Sequence, residues 1–259
     1  MPHYLFDQGH AAEFARLQLL EQYTDEMSQR ALLAAPPLLG RRVADVGAGA
    51  GSIVRWLAQQ VGPDGLVDAI DIDPRHCRTG LPANARVVQR DCDTLEPLPR
   101  YHAVHCRFLL QHLPDAAHTL RVIQGAMQEG GALVTADSDH TSWQIDADFP
   151  FARRVRTAYL RVAVNAGWNL TLGRDTPDLM RAAGFGGISA AGYVHYVRGG
   201  DVICRFLAAS FRALAAKILA TGEADEEDLE LTVRALDTDQ GFYQRYVTVW
   251  CTTGYKKRG

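Results

Sequence analysis

Three glycines at alternate positions, Gly47, Gly49 and Gly51, follow a short apolar run that carries an acid, Val43-Ala44-Asp45-Val46. Glycine at such places removes side chains where the backbone must pass close to a ligand or take positive φ. A second apolar run ends in Asp71-Ile72-Asp73, with Asp71 twenty residues beyond Gly51. A carboxylate there suits acceptance of hydrogen bonds from both hydroxyls of a ribose, as in doubly wound folds. Asp73 is followed by Pro74, which ends the strand, so Asp73 reads more naturally as the cap of the next short helix. Further acids stand in Asp91-Cys92-Asp93, and Asp139 and His140 lie in a polar loop, Asp137-Ser138-Asp139-His140-Thr141-Ser142-Trp143. Together these residues describe a nucleoside-binding rim with candidate proton-handling groups beside it.

Elements must hold that rim in place. The pattern predicts strands over 43–46, 66–71, 86–89, 102–106 and 131–136, alternating with helices over 52–60, 74–80 and 115–128. Such alternation implies a parallel sheet with right-handed crossovers, whose ligand sits beyond the carboxyl ends of the strands. Further on, helices are expected over 149–166 and from Pro177 to Ala183, a strand over 188–197, helices over 201–220 and 225–236, and a last strand within 246–255. An approximate helical stripe from Gly9 to Ala35, ended by Pro36-Pro37, precedes the glycine loop. Residues 1–40 are therefore expected to form a helical extension or lid, and residues 41–259 the main domain.

The register of the glycines separates two nucleotide-binding classes. A dinucleotide fingerprint wants its third glycine at the sixth position, which here is Ser52. The order D-x-G-x-G-x-G, from Asp45 to Gly51, instead resembles motif I of class I S-adenosylmethionine-dependent methyltransferases. That resemblance implies an α/β fold with a seven-stranded, mostly parallel sheet, helices on both faces and an antiparallel last strand. Residues 200–237 would then be a helical insertion before that strand. It further implies that Asp45, Gly47, Ala48, Gly49, Asp71 and Ile72 line the cofactor. An acid at Asp91 would accept from the adenine amino group while the amide of Cys92 meets a ring nitrogen, with Asp93 adjacent. Arg107 and Phe108, after the fourth strand, fall where the methionine portion is held. The resemblance is strong across 43–137; the later half matches small-molecule methyltransferases of bacterial natural-product pathways by general pattern only.

Several absences narrow the acceptor. After the fourth strand the chain has Cys106-Arg107-Phe108-Leu109, neither the Asn/Asp-Pro-Pro-aromatic element of amino-methylating DNA enzymes nor a Pro-Cys nucleophile. An acid after the fourth strand, needed by catechol-type magnesium sites, is also missing, so no metal is expected. Methyl transfer is an in-line displacement that needs alignment rather than a dedicated nucleophile. A base helps with an alcohol or phenol, and His112, Asp139 and His140 are the candidates. Tyr4, His112, Trp143 and Trp168 are candidate acceptor contacts, and the aromatic segment around Tyr4 and Phe6 is a candidate closing element.

The composition is ordinary for a globular protein, with 47% hydrophobic and 22% charged residues and a formal charge of -3. It carries no general electrostatic footprint for nucleic acid, Lys256-Lys257-Arg258 reading as a solvated tail. Five scattered cysteines with no C-x-x-C pair speak against a disulfide framework or a zinc site. With no secretory or membrane-spanning pattern, a cytoplasmic monomer or homodimer acting on a small metabolite is expected. Because fold does not fix reaction, three alternatives stay open: use of the bound sulfonium without methyl transfer, as in a cyclase or decarboxylase, a non-catalytic cofactor-binding partner, or a nicotinamide oxidoreductase.

Overall fold

In the computed structural model, which describes residues 5–6, 10–94 and 100–259, the alternating runs of the first half form one sheet. Its elements are α1 (His10–Leu33), β1 (Arg42–Val46), α2 (Ser52–Val61), β2 (Leu66–Asp71), β3 (Ala85–Gln89), β4 (Tyr101–Arg107), α3 (Ala116–Gly125) and β5 (Met127–Asp139). The second half supplies β6 (Gln144–Ile145), α4 (Pro150–Asn165), α5 (Leu172–Ala182), β7 (Phe185–Tyr193), β8 (Tyr196–Arg198), α6 (Val202–Ala213), α7 (Ala215–Leu219), α8 (Glu226–Thr238), β9 (Tyr243–Arg245) and β10 (Thr248–Lys256). Residues 1–23, 139–170 and 194–248 form one compact unit and residues 24–138, 171–193 and 249–259 another. Tyr4 lies outside the described residues.

The second unit is a seven-stranded sheet in the order β3-β2-β1-β4-β5-β10-β7. Strands β1 to β5 run parallel, and β10 lies between β5 and β7, antiparallel to β7. Alternation along the strands splits the apolar side chains between two cores. Val104 and Leu133 pack with Leu120, Ile123 and Met180 of α3 and α5, whereas Val43, Val67 and Val134 pack with Leu32, Ile53 and Leu57 of α1 and α2. On α2 the buried residues Ile53, Val54, Leu57, Ala58 and Val61 recur at helical spacing, and each large aliphatic among them contributes about 1.5–3 kcal/mol. In mid-sheet, the fully buried Asp68 accepts from Arg42, Arg86 and Tyr101. Burial pushes its carboxyl up, but these hydrogen bonds outweigh that and hold it below the usual range.

The first unit has a small sheet, β6-β9-β8, with both pairs antiparallel, together with helices α4, α6, α7 and α8. Helix α8 begins with a reciprocal capping box between Asp225 and Asp228. Among the described residues, no helix is long and apolar enough to cross a membrane.

Five expected elements differ from their sequence reading. The 188–197 strand divides into β7 and β8, which belong to different sheets, and the 246–255 run is β10 alone, β9 preceding it. Helix α5 starts at Leu172 and runs through Pro177; just before the proline, Thr176 Oγ1 donates to the buried Leu172 carbonyl one turn back at 2.7 Å. The 115–128 helix stops at Gly125, because a glycine bulge lets β5 begin early. Pairing jumps from Tyr101↔Met127 to Ala103↔Ala132, and a side chain on Gly131 would sit about 3 Å from three carbonyl oxygens. Residues 74–80 make only a short turn of 3-10 helix, Pro74–His76, capped by Asp73.

Candidate functional site

The loop after β1 takes left-handed backbone at Gly47, Gly49 and Gly51, with φ of 74°, 56° and 87°. This is the region where only glycine is free of strain. Two of the three glycines are enclosed. A Cβ on Gly47 would lie 3.2 Å from Leu109, and one on Gly51 would lie 3.0 Å from Cys77 Sγ. Above Gly49 the nearest atom would be 4.0 Å away, so that residue borders open space. The amide of Gly49 donates to Asp71 Oδ2 at 3.1 Å, and the amide of Asp73 donates to Oδ1 at 2.9 Å. Asp71 therefore ends β2 with both oxygens oriented and one lone pair left on each. Burial raises its pKa; the two amides pull it back only in part, and the charges of Asp73 and Asp45 push further up.

The other acids face different work. Asp45 Oδ1 meets His105 Nδ1 at 2.7 Å, and His105 Nε2 meets Ser28 Oγ at 3.0 Å. All three are buried, so this line ties α1 to the adjacent strands β1 and β4 beneath the loop. Asp91 Oδ1 accepts from the amide of Asp93 at 3.0 Å, and Asp93 accepts from Thr119 of α3. Both carboxylates thus brace the turn after β3. Cys92 is buried between them, its thiol pushed up to about 12 by burial and by the neighbouring carboxylates. Ala48 is buried, while the Ile72 side chain is exposed and its carbonyl accepts from Gln89 Nε2.

After β4, Phe108 is a residue other than glycine with positive φ, 48°, and its amide donates to the Ala136 carbonyl at 2.8 Å. A non-glycine residue in this region costs about 1–3 kcal/mol and persists only where surroundings enforce it. The kink turns Leu109 onto Gly47. Arg107 does not extend toward open space: its guanidinium donates to Asp25 Oδ1 at 2.7 Å and to Ser52 Oγ at 3.3 Å. Nor was Asp25 readable as its partner, since the two lie 82 residues apart. His112 closes the next turn beside Gln111, whose Oε1 accepts from the Ser138 amide at 3.2 Å. Asp137 is fully buried and held well above the carboxylate range by burial, which the Gln111 amide offsets only partly.

Of the candidate bases in the other unit, Asp139 caps the turn that follows it, accepting from the Thr141 amide at 3.0 Å and Thr141 Oγ1 at 2.5 Å. His140 differs. It is 3% exposed, neither ring nitrogen has a hydrogen-bond partner among the described residues, and burial, opposed in part by Asp139 and helped by Arg156, lowers its pKa to about 4. Its ring lies 5.9 Å from that of Trp168. Trp143 is wholly buried, with its indole N–H donating to Gln244 Oε1 at 2.7 Å, which is the environment of a core residue. Phe6 is buried against Trp168 and under the Arg16 guanidinium.

A left-handed glycine loop over open space, with an oriented carboxylate at the end of the next strand, fits the adenosyl portion of S-adenosylmethionine. Residues 16–190 match the family described as "Methyltransferase domain". The chain belongs to this methyltransferase family, and to its class I, S-adenosylmethionine-dependent branch. The methyltransferase is 34% identical over 105 residues to Methyltransferase str2 of Strobilurus tenacellus, a match covering 38% of this chain and 36% of that protein. The match thus spans about a third of that relative's length. In fold, it resembles a putative methyltransferase from Bacillus halodurans, with a TM-score of 0.60 and 16% identity over 90% of this chain and 100% of that one. It also resembles the [4+2]-cyclase SpnF, with a TM-score of 0.57 and 16% identity over 92% and 83%. The cofactor of the methyltransferase is S-adenosylmethionine.

Proposed function

We propose that this methyltransferase transfers the methyl group of S-adenosylmethionine to an oxygen, nitrogen or carbon atom of a small metabolite. The observation that carries this reading is the Gly49 N–H to Asp71 contact, made beneath open space at the carboxyl ends of β1 and β2. Asp71 accepts from the ribose hydroxyls. The turn at Asp91-Cys92 presents an acceptor and an amide to adenine, and the backbone around Phe108 borders the methionine portion.

When bound, the cofactor supplies a sulfonium-activated methyl carbon. The chain aligns the acceptor so that its lone pair forms the new bond in line with the breaking one, and excludes water. For a hydroxyl acceptor, His140 takes the departing proton. It follows β5 directly, is neutral at physiological pH, and has an imidazole nitrogen free to accept. Asp139 and His112 serve the surrounding turns instead.

Incubation with S-adenosylmethionine and a panel of metabolites tests the reading. The expected outcome is S-adenosylhomocysteine together with a product heavier by one methylene. Conversion of a substrate with no S-adenosylhomocysteine formed would refute methyl transfer in favour of cofactor-dependent chemistry of the cyclase kind.

A further inference from the structure

Helix α4 carries four arginines, and they do not share one fate. Arg154 pairs with Asp228 at 2.5 Å and Arg161 with Glu223 at 2.5 Å, both across to residues near the start of α8, while Arg153 is exposed. Among the described residues Arg156, half-buried, makes no ion pair and its buried Nε has no hydrogen-bond partner. Its guanidinium carbon lies 5.8 Å from the Trp143 ring. Elsewhere in the same unit a buried guanidinium is neutralised, as Arg16 is by Glu13. Leaving a desolvated cation without a counter-charge is costly, and burial lowers the pKa of Arg156.

The imidazole of His140 adds a second unfilled set of hydrogen-bonding atoms. Between the two run aromatic contacts: Trp168 against His140 at 5.9 Å, Tyr159 against Trp168 at 6.2 Å, and Trp143 against Tyr159 at 6.0 Å. These rings meet tilted or edge-on, at 49°, 89° and 77°, the geometry in which aromatic side chains receive a further ring, and the two polar groups at either end are a cation and a neutral donor and acceptor. Their complement is an aromatic or conjugated body with an anionic group and a hydroxyl.

We infer that this unit binds the methyl acceptor and that the acceptor is an aromatic or conjugated carboxylic acid, its carboxylate held by Arg156 and its hydroxyl by His140. The role as acceptor site rests on the methyl-transfer reading; the anion site does not. The probes are 4-hydroxycinnamate and its methyl ester, titrated calorimetrically into the full chain, with S-adenosylmethionine titrated separately.

The acid should bind at least tenfold more tightly than the ester. Arg156→Gln should erase that preference and Arg156→Lys should keep part of it, while both variants bind S-adenosylmethionine as the parent does. His140→Gln should weaken both probes, which share the hydroxyl, and leave their ratio intact. Equal binding of acid and ester, no binding of either, or a preference that survives in Arg156→Gln would overturn the inference. Retained acid preference with no S-adenosylmethionine binding would sink the methyl-transfer reading alone. Methylation confined to uncharged acceptors would sink the anion site alone.

Discussion

The amide of Gly49 and the carboxylate of Asp71, 22 residues apart in sequence, are joined by a 3.1 Å hydrogen bond that fixes the glycine loop to the end of the neighbouring strand. With the amide of Asp73 it orients both Asp71 oxygens, and on the proposed reading those oxygens accept from the ribose hydroxyls. Replacing Asp71 by Ala should therefore weaken S-adenosylmethionine binding by about 1.5–3 kcal/mol, the scale for hydrogen bonds to a charged group. Calorimetry on the folded variant measures this, and an unchanged Kd would remove Asp71 from the site.

Gly47→Ala and Gly49→Ala should separate strain from access. Both demand a side chain at positive φ, at a cost of about 1–3 kcal/mol, and Gly47→Ala also presses on Leu109 at 3.2 Å. Thermal unfolding should show Gly47→Ala as the less stable. Cofactor titration should show Gly49→Ala as the greater loss of affinity per unit of lost stability, because its methyl enters the open space. The reverse order in both assays would refute the cradle.

His105→Ala should destabilise the protein by about 3–5 kcal/mol, the range for breaking a buried polar pair. It strands the Asp45 carboxylate and the Ser28 hydroxyl together. Urea unfolding is the measurement, and a loss below about 1 kcal/mol would show that water or repacking satisfies both groups.

Stability should fall on acidification through His140. Its folded pKa is lowered to about 4 from an unfolded value of 6.5, so between these values the unfolded chain binds a proton that the folded chain refuses. The contribution is complete above pH 6.5 and drains away as pH falls toward 4, by at most about 3 kcal/mol. His140→Leu should flatten that acid limb in unfolding measured across pH 4–7; a limb of unchanged slope would count against a depressed histidine.

Local signals made the glycine loop and Asp71 legible, because strand ends, left-handed turns and a proline after Asp73 are properties of a few neighbouring residues. Long-range pairings were opaque. Nothing near Asp45 announces that its partner is His105, 60 residues on, or that Ser28, 77 residues before His105, completes the line. Arg107 was expected to face the ligand and instead meets Asp25 and Ser52. Apolar alternation continues through 188–197 with no marker for the change of sheet at Val194-His195. Arg156 was missed because a basic helix reads as a solvated face, and only the pairing of Arg154 and Arg161 exposes the exception.

The place of β10 sets an order of assembly. It fills the gap between β5 and β7, yet it is synthesised after both, with the whole 194–247 segment intervening. Until it emerges from the ribosome, β5 and β7 each present an open edge able to recruit strands from other chains. Nascent chains halted before Thr248 should thus be the aggregation-prone species, and a chaperone that shields strand edges should matter most in the interval between the emergence of β7 and that of β10.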